Sequence, residues 1–239
     1  MNPDQKKIIL SKAQKWFGDK IVANHIKKTT YIIKHPSKLN INPFTVRYLA
    51  KFIGGTVTPD TLARAVIYPR VIGTSIGTIF GTHAQSFISD VLGGLGSTTS
   101  GIDIEFTDHV DESYKYCQVK AGPDTINKDD VKTIDDHFSA IKRLAATNKR
   151  KISINDMVIG ILYGEDNDIN PNYRALRDKH HYRIYVGKDF WHRLTGEADF
   201  YYDLIKECAS AADGVDTAGI LDDAVAKLAA TNELIKLAQ

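Results

Sequence analysis

Residues Met157-Val158-Ile159-Gly160-Ile161-Leu162-Tyr163 form an unbroken apolar run. The longer apolar stretch Val66 to Leu92 is broken by Pro69, Arg70, His83, Gln85 and Asp90 and predicts no membrane span, and the run at 157–163 offers water no polar position. A strand buried on both faces satisfies it, which requires helices above and below a sheet. The neighbouring segments agree. Ile102-Asp103-Ile104-Glu105-Phe106 alternates apolar with acidic, Tyr114 to Ala121 alternates again, and the polar, acidic Thr107 to Ser113 between them reads as a hairpin turn. Residues 128–149 return to helical spacing through Val131, Ile134, Phe138, Ile141 and Leu144, and Tyr182 to Val186 reads as a further strand. Helices follow near 188–195, 199–212 and 217–237. This order predicts an α/β protein, a mixed β-sheet core flanked by helices.

The first third is helical in pattern. Ile8, Ile9, Ala13, Trp16, Phe17, Ile21 and Ile26 recur at three- and four-residue steps across 4–34, a second helix runs to about Phe52, and Thr58-Pro59 caps a third. Gly73, Gly77 and Gly81 share one face, which predicts packing against a neighbouring element. Gly93 to Gly101 is rich in Gly, Ser and Thr and reads as a flexible connection. The expected division is a helical N-terminal region over 1–92, a sheet-bearing core over 93–213 and a C-terminal helix over 214–239. In that tail Ile220, Leu221, Ala224, Val225, Leu228 and Ile235 form one apolar side.

Net charge is only +2, yet it is unevenly spread: residues 1–60 carry +8 and the remaining 179 carry −6. Cys117 and Cys208 are the only cysteines, and no apolar segment follows Met1-Asn2-Pro3-Asp4. The expectation is a reducing cytoplasm, no disulfide framework, no Cys-rich zinc site and no membrane span.

Chemistry concentrates at the hairpin. Alternation places Gln118 and Lys120 on one face of their strand, and pairing brings Asp103 beside them. A carboxylate, a second oxygen ligand and a lysine at one strand edge suit metal-assisted phosphodiester hydrolysis. The oxygens hold Mg²⁺, a cation that prefers oxygen ligands, and the lysine positions the attacking water.

With Asp103 as first acid and Gln118-Val119-Lys120-Ala121-Gly122 as second motif, the chain resembles the PD-(D/E)xK nuclease superfamily. Ile41-Asn42-Pro43-Phe44, Tyr68 to Gly73, Gln118 to Gly122, Ile161 to Gly164, Tyr173 to Arg177 and Ile184 to Trp191 are similar, in this order, to type II restriction endonucleases that cut GGNCC-type palindromes such as RGGNCCY. The resemblance covers about 41–205. It implies a restriction-endonuclease-like fold with a helical N-terminal region and helical C-terminal tail, acting in a prokaryotic cytoplasm as a Mg²⁺-dependent homodimer. Double-stranded DNA would be cut to leave 5′-phosphates, with Asp103, Gln118 and the Val119 carbonyl as metal ligands and Lys120 as the water-orienting group. Gln118 stands where the family usually has an acid. Glu105, two residues along from Asp103, is therefore a further candidate catalytic carboxylate, and Gln118→Glu is expected to retain or improve cleavage at low Mg²⁺.

Arg174, Arg177, Lys179, His180 and His181 cluster after Asn170-Pro171 and are the candidate DNA-binding residues. The two arginines are suited to guanine edges, and Lys179 to phosphate. The alternatives are another nuclease of this superfamily (repair, junction-resolving or transposition) or a sequence-specific DNA-binding protein that has lost catalysis at Gln118.

Overall fold

In the computed structural model of the protein, residues 1–35, 39–93, 95–149 and 151–239 are described, apart from the side chains of Ile33 and Gln85. Gly94, in the segment whose composition reads as a connection, and Arg150 lie outside the described residues. The chain forms two compact units. One comprises Met1–Trp16 with Gly81–Ser210, the other Phe17–Phe80 with Ala211–Gln239.

The helical run expected over 4–34 is present as α1 (Pro3–Phe17), a π turn over Gly18–Val22 and α2 (Ala23–Lys34). Then come α3 (Pro43–Gly54), α4 (Pro59–Tyr68), a wider π stretch over Pro69–Ser75, and α5 (Ile76–Leu92). Asn42 and Thr58 cap α3 and α4 as their types predict: the Asn42 side chain accepts from Phe44 N–H and Thr58 from Thr61 N–H. Gly73, Gly77 and Gly81 correct one expectation. A Cβ built on any of them meets nothing within 4 Å, so among the described residues no neighbouring element packs closely there.

The mixed α/β core is present. Strands β1 (Ile104–Thr107), β2 (Tyr114–Lys120), β3 (Met157–Ile161) and β4 (Arg183–Val186) lie in the order β1-β2-β3-β4. The first pair is antiparallel, with Ile104 opposite Cys117. The other two pairs are parallel, with Lys120 beside Ile161 and Ile161 beside Val186. All five residues of β3 are buried, as its apolar run demands. Helices α6 (Lys128–Thr147) and α7 (Pro171–Asp178) supply one face, where Ile134, Phe138 and Leu176 join Met157, Ile159 and Ile161 in one core. Leu144 is exposed, and Ala145 completes the buried stripe of α6 instead. On the opposite face, α8 (Gly187–Thr195) packs so closely that a Cβ at Gly160 would stand 2.3 Å from the Phe190 ring. Both cysteines are free.

After α9 (Phe200–Ser210) the tail departs from the single helix expected: it divides into α10 (Thr217–Ala229) and α11 (Asn232–Ala238). Thr231 takes extended backbone between them, which resets the helical phase. Leu234 is therefore fully buried while Ile235 is exposed. Ala224, Val225, Leu228 and Leu234 form one hydrophobic core with Val46, Ala50, Leu62 and Ile67. No helix among the described residues is long and apolar enough to cross a membrane.

Candidate active site

Parallel strands leave a crevice at their carboxyl ends, a common place for ligands in α/β sheets. Here that end carries Lys120. Because β1 runs the other way, its amino end, and Asp103 just before it, reach the same place. The Asp103 N–H donates to Cys117 O at 3.1 Å, and its Oδ2 accepts from Val119 N–H at 2.7 Å. In an extended strand a residue's C=O points to the same edge as its N–H, so the Val119 carbonyl also faces the Asp103 side. Asp103, Gln118 and Lys120 line one cleft of about 180 Å³ together with Asp130, Thr133 and His137 from α6.

Burial pushes the Asp103 carboxyl above the ordinary carboxylate range. The Val119 N–H, Lys120 and the His137 ring each pull it part of the way back. Lys120 makes no ion pair with any described residue, so Asp103 and Lys120 are opposite charges in one cleft rather than a closed pair. A half-buried carboxylate whose charge is under-compensated, with amide and carbonyl oxygens beside it, is a donor set that fits a hard divalent cation.

The Gln118 side chain is buried, and two partners fix it. Its Nε2 donates to Gly101 O at 2.7 Å and to His137 Nδ1 at 2.9 Å. Gly101 O can only accept, so it sets the orientation of the amide and places Oε1 on the other side of the amide from that contact. Gly101 has φ +80°, and a Cβ there would stand 2.4 Å from the His137 ring, so glycine is what lets this contact form. The amide thus has a role that a glutamate cannot fill. Gln118→Glu is expected to melt about 5 °C below the wild type in EDTA, because a carboxylate would face the Gly101 carbonyl unbonded. Added Mg²⁺ should recover the loss, as the new charge binds the cation. An unchanged melting temperature in EDTA would show that the Gly101 bond contributes nothing.

Glu105 is placed differently. Its carboxylate accepts from Ser97 Oγ, from Thr99 Oγ1 at 2.8 Å and from Tyr114 OH at 2.8 Å. Burial opposes its ionisation, but the three hydroxyls outweigh it and hold the carboxyl below its usual range. Glu105 does not line the Asp103 cleft.

The basic cluster spans α7 and the segment that leads from it to β4. Arg174 donates from Nε and Nη2 to Ile169 O at 3.0 and 2.8 Å, and Arg177 pairs with Asp166 at 3.1 Å and Asp178 at 3.0 Å. His180 Nδ1 lies 2.9 Å from Asp135, while Lys179 and His181 are exposed, His181 with φ +61°. Lys179, His180 and His181 lead into the start of β4, the end of the strand opposite Val186, so the structure does not bring them to the cleft.

Sequence reasoning missed Asp130, Thr133 and His137. Their spacing of three and four, flanking the apolar stripe of α6, was the available signal.

A family model described as type II restriction endonuclease EcoO109I matches residues 42–216. Among curated proteins no match is found.

Proposed function

The chain belongs to the type II restriction endonuclease EcoO109I family, a family of site-specific deoxyribonucleases, and from that premise we propose that its Asp103 cleft cuts both strands of a short GC-rich palindrome of the GGNCC type. The observation that carries this is the meeting of Asp103, Gln118 and Lys120 in one cleft, with Asp103 half-buried and its carboxyl raised.

Asp103, Gln118 Oε1 and the Val119 carbonyl are the residues to hold a divalent cation, Mg²⁺ by the oxygen character of the set. When bound, the cation neutralises charge on the scissile phosphate. Lys120 carries the positive charge that orients the attacking water and steadies the phosphate oxygen as charge develops on it. Asp130 bounds the cleft on the helix side, although its Oδ2 accepts from Asn127 N–H at 2.8 Å as part of the α6 cap. In-line attack leaves a 5′-phosphate and a 3′-hydroxyl. Glu105, braced by three hydroxyls, supports the strand start that presents Asp103.

Arg174 and Arg177 are proposed to read guanine edges, and Lys179, His180 and His181 to contact the duplex. For Arg177 this means exchanging Asp166 and Asp178 for DNA. A palindrome calls for a two-fold enzyme, one subunit per strand, with the helical N-terminal region as the source of dimerisation. The natural setting is a prokaryotic cytoplasm, beside a methyltransferase of the same specificity.

Digestion of a long duplex tests the proposal. Discrete fragments in Mg²⁺ that disappear in EDTA are expected. A smear would point to a non-specific nuclease of the same superfamily. Tight binding with no nicking after long incubation would point to a DNA-binding protein without catalysis.

A further inference from the structure

Helix α3 has two apolar sides where one is enough to fold it. Val46 and Ala50 point into the helical core. The opposite arc carries Phe44 (90% exposed), Tyr48 (66%) and Phe52 (77%), continued by Leu49 (36%) and Ile53 (43%). Tyr48 and Phe52 touch, with ring centroids 6.2 Å apart, so the arc is a continuous surface. At roughly 200 Å² per aromatic side chain, the five residues expose on the order of 600 Å². That reaches the upper end for the largest apolar patch on a typical monomer. Two such surfaces together approach the roughly 1,200 Å² at which specific stable interfaces begin.

The arrangement is also symmetric. Tyr48 has a phenylalanine four residues before it and another four residues after it, a stripe about 12 Å long. A two-fold axis through Tyr48 sets two α3 helices antiparallel and lays Phe44 against Phe52 of the partner subunit. A surface that repeats about its own centre is what an isologous interface requires. Charge favours the same occupant. Arg47 donates to Leu237 O at one side of the arc, and Lys51 stands at its rim rather than within it. A charge-poor aromatic centre with a basic rim suits a protein interface and gives a DNA backbone little to bind.

We propose that the Phe44-Tyr48-Phe52 face of α3 is the surface through which two copies of this chain pair. This rests on the two-fold reading of the enzyme given above and names the surface that makes it. The experiment is sedimentation velocity at micromolar concentration on the wild type and on the double variant Phe44→Glu/Phe52→Glu, with duplex binding measured alongside. Both side chains are mostly in solvent, so the variant monomer should stay folded and melt cooperatively, below the wild type only by what dimerisation contributes at that concentration. The wild type is expected at twice the 26.6 kDa chain mass and the variant at the monomer mass, its dissociation constant raised at least about 100-fold. If both are dimers, α3 is not the interface and the two-fold enzyme stands. If the wild type is a monomer both alone and on a palindromic duplex, the two readings fall together. If the variant stays dimeric but loses the duplex, the stripe contacts DNA and the proposal is overturned.

Discussion

Asp103→Asn should lose about 10³-fold or more in cleavage rate while melting at or above the wild-type temperature in EDTA at pH 7. The cleavage loss follows from removing the one formal negative charge among the three proposed cation ligands. The stability result follows from the raised carboxyl. A fold that raises an acid's pKa favours its protonated form. That contribution is complete below the unfolded value near 3.8 and is lost as pH rises through the folded value, so at pH 7 the partly desolvated ion works against folding. Asparagine removes the charge and keeps an oxygen for Val119 N–H. The same raised value places the acid limb of cleavage above the ordinary aspartate range, because the ionised form is the one that binds a cation. A large fall in melting temperature for Asp103→Asn would instead make Asp103 a structural residue.

Asp108→Ala should be strongly destabilising although it lies outside the cleft. Asp108 is completely buried in the β1–β2 turn, where Oδ1 accepts from Val110 N–H at 2.8 Å and Oδ2 pairs with Arg193 Nη1 of α8 at 3.0 Å. The Arg193 guanidinium also lies 4.3 Å over the Tyr185 ring, and its remaining ion-pair partner, Asp189 at 3.2 Å, is half in solvent. Removing one member of a buried pair leaves the other under-compensated, at a cost of about 3–5 kcal/mol. For a chain of this size that corresponds to roughly 10 °C in melting temperature. A shift within 3 °C would mean that Arg193 finds equal stabilisation from Asp189 and water.

Much of this architecture was legible because a strand with one or two buried faces leaves a strong pattern. The apolar run at 157–163 located β3, and the alternation around Asp103 and Gln118-Val119-Lys120 located both the hairpin and the face that lines the cleft. What stayed hidden depended on partners distant in sequence. His137 reads as one polar position on an amphipathic helix until α6 lies over Gln118 and Gly101. Lys115 looks like an outward strand position, yet it is 1% exposed and satisfied by Asp111 at 2.9 Å and Asn155 O at 3.1 Å. The positive charge at 174–183 is partly answered by Asp135 and Asp166, acids that no local window includes. The break at Thr231 escaped because both halves of the tail keep helical spacing, and only the burial of Leu234 rather than Ile235 shows the change of phase.

The most direct measurement is to sequence the fragment ends produced from a long duplex in Mg²⁺ by the wild type and by Lys120→Ala at the same concentration. The account predicts a single recurrent GC-rich palindrome with 5′-phosphate ends for the wild type. For Lys120→Ala it predicts about 10²–10⁴-fold less cleavage with duplex binding retained. Cleavage by Lys120→Ala at the wild-type rate, or ends that share no sequence, would contradict it.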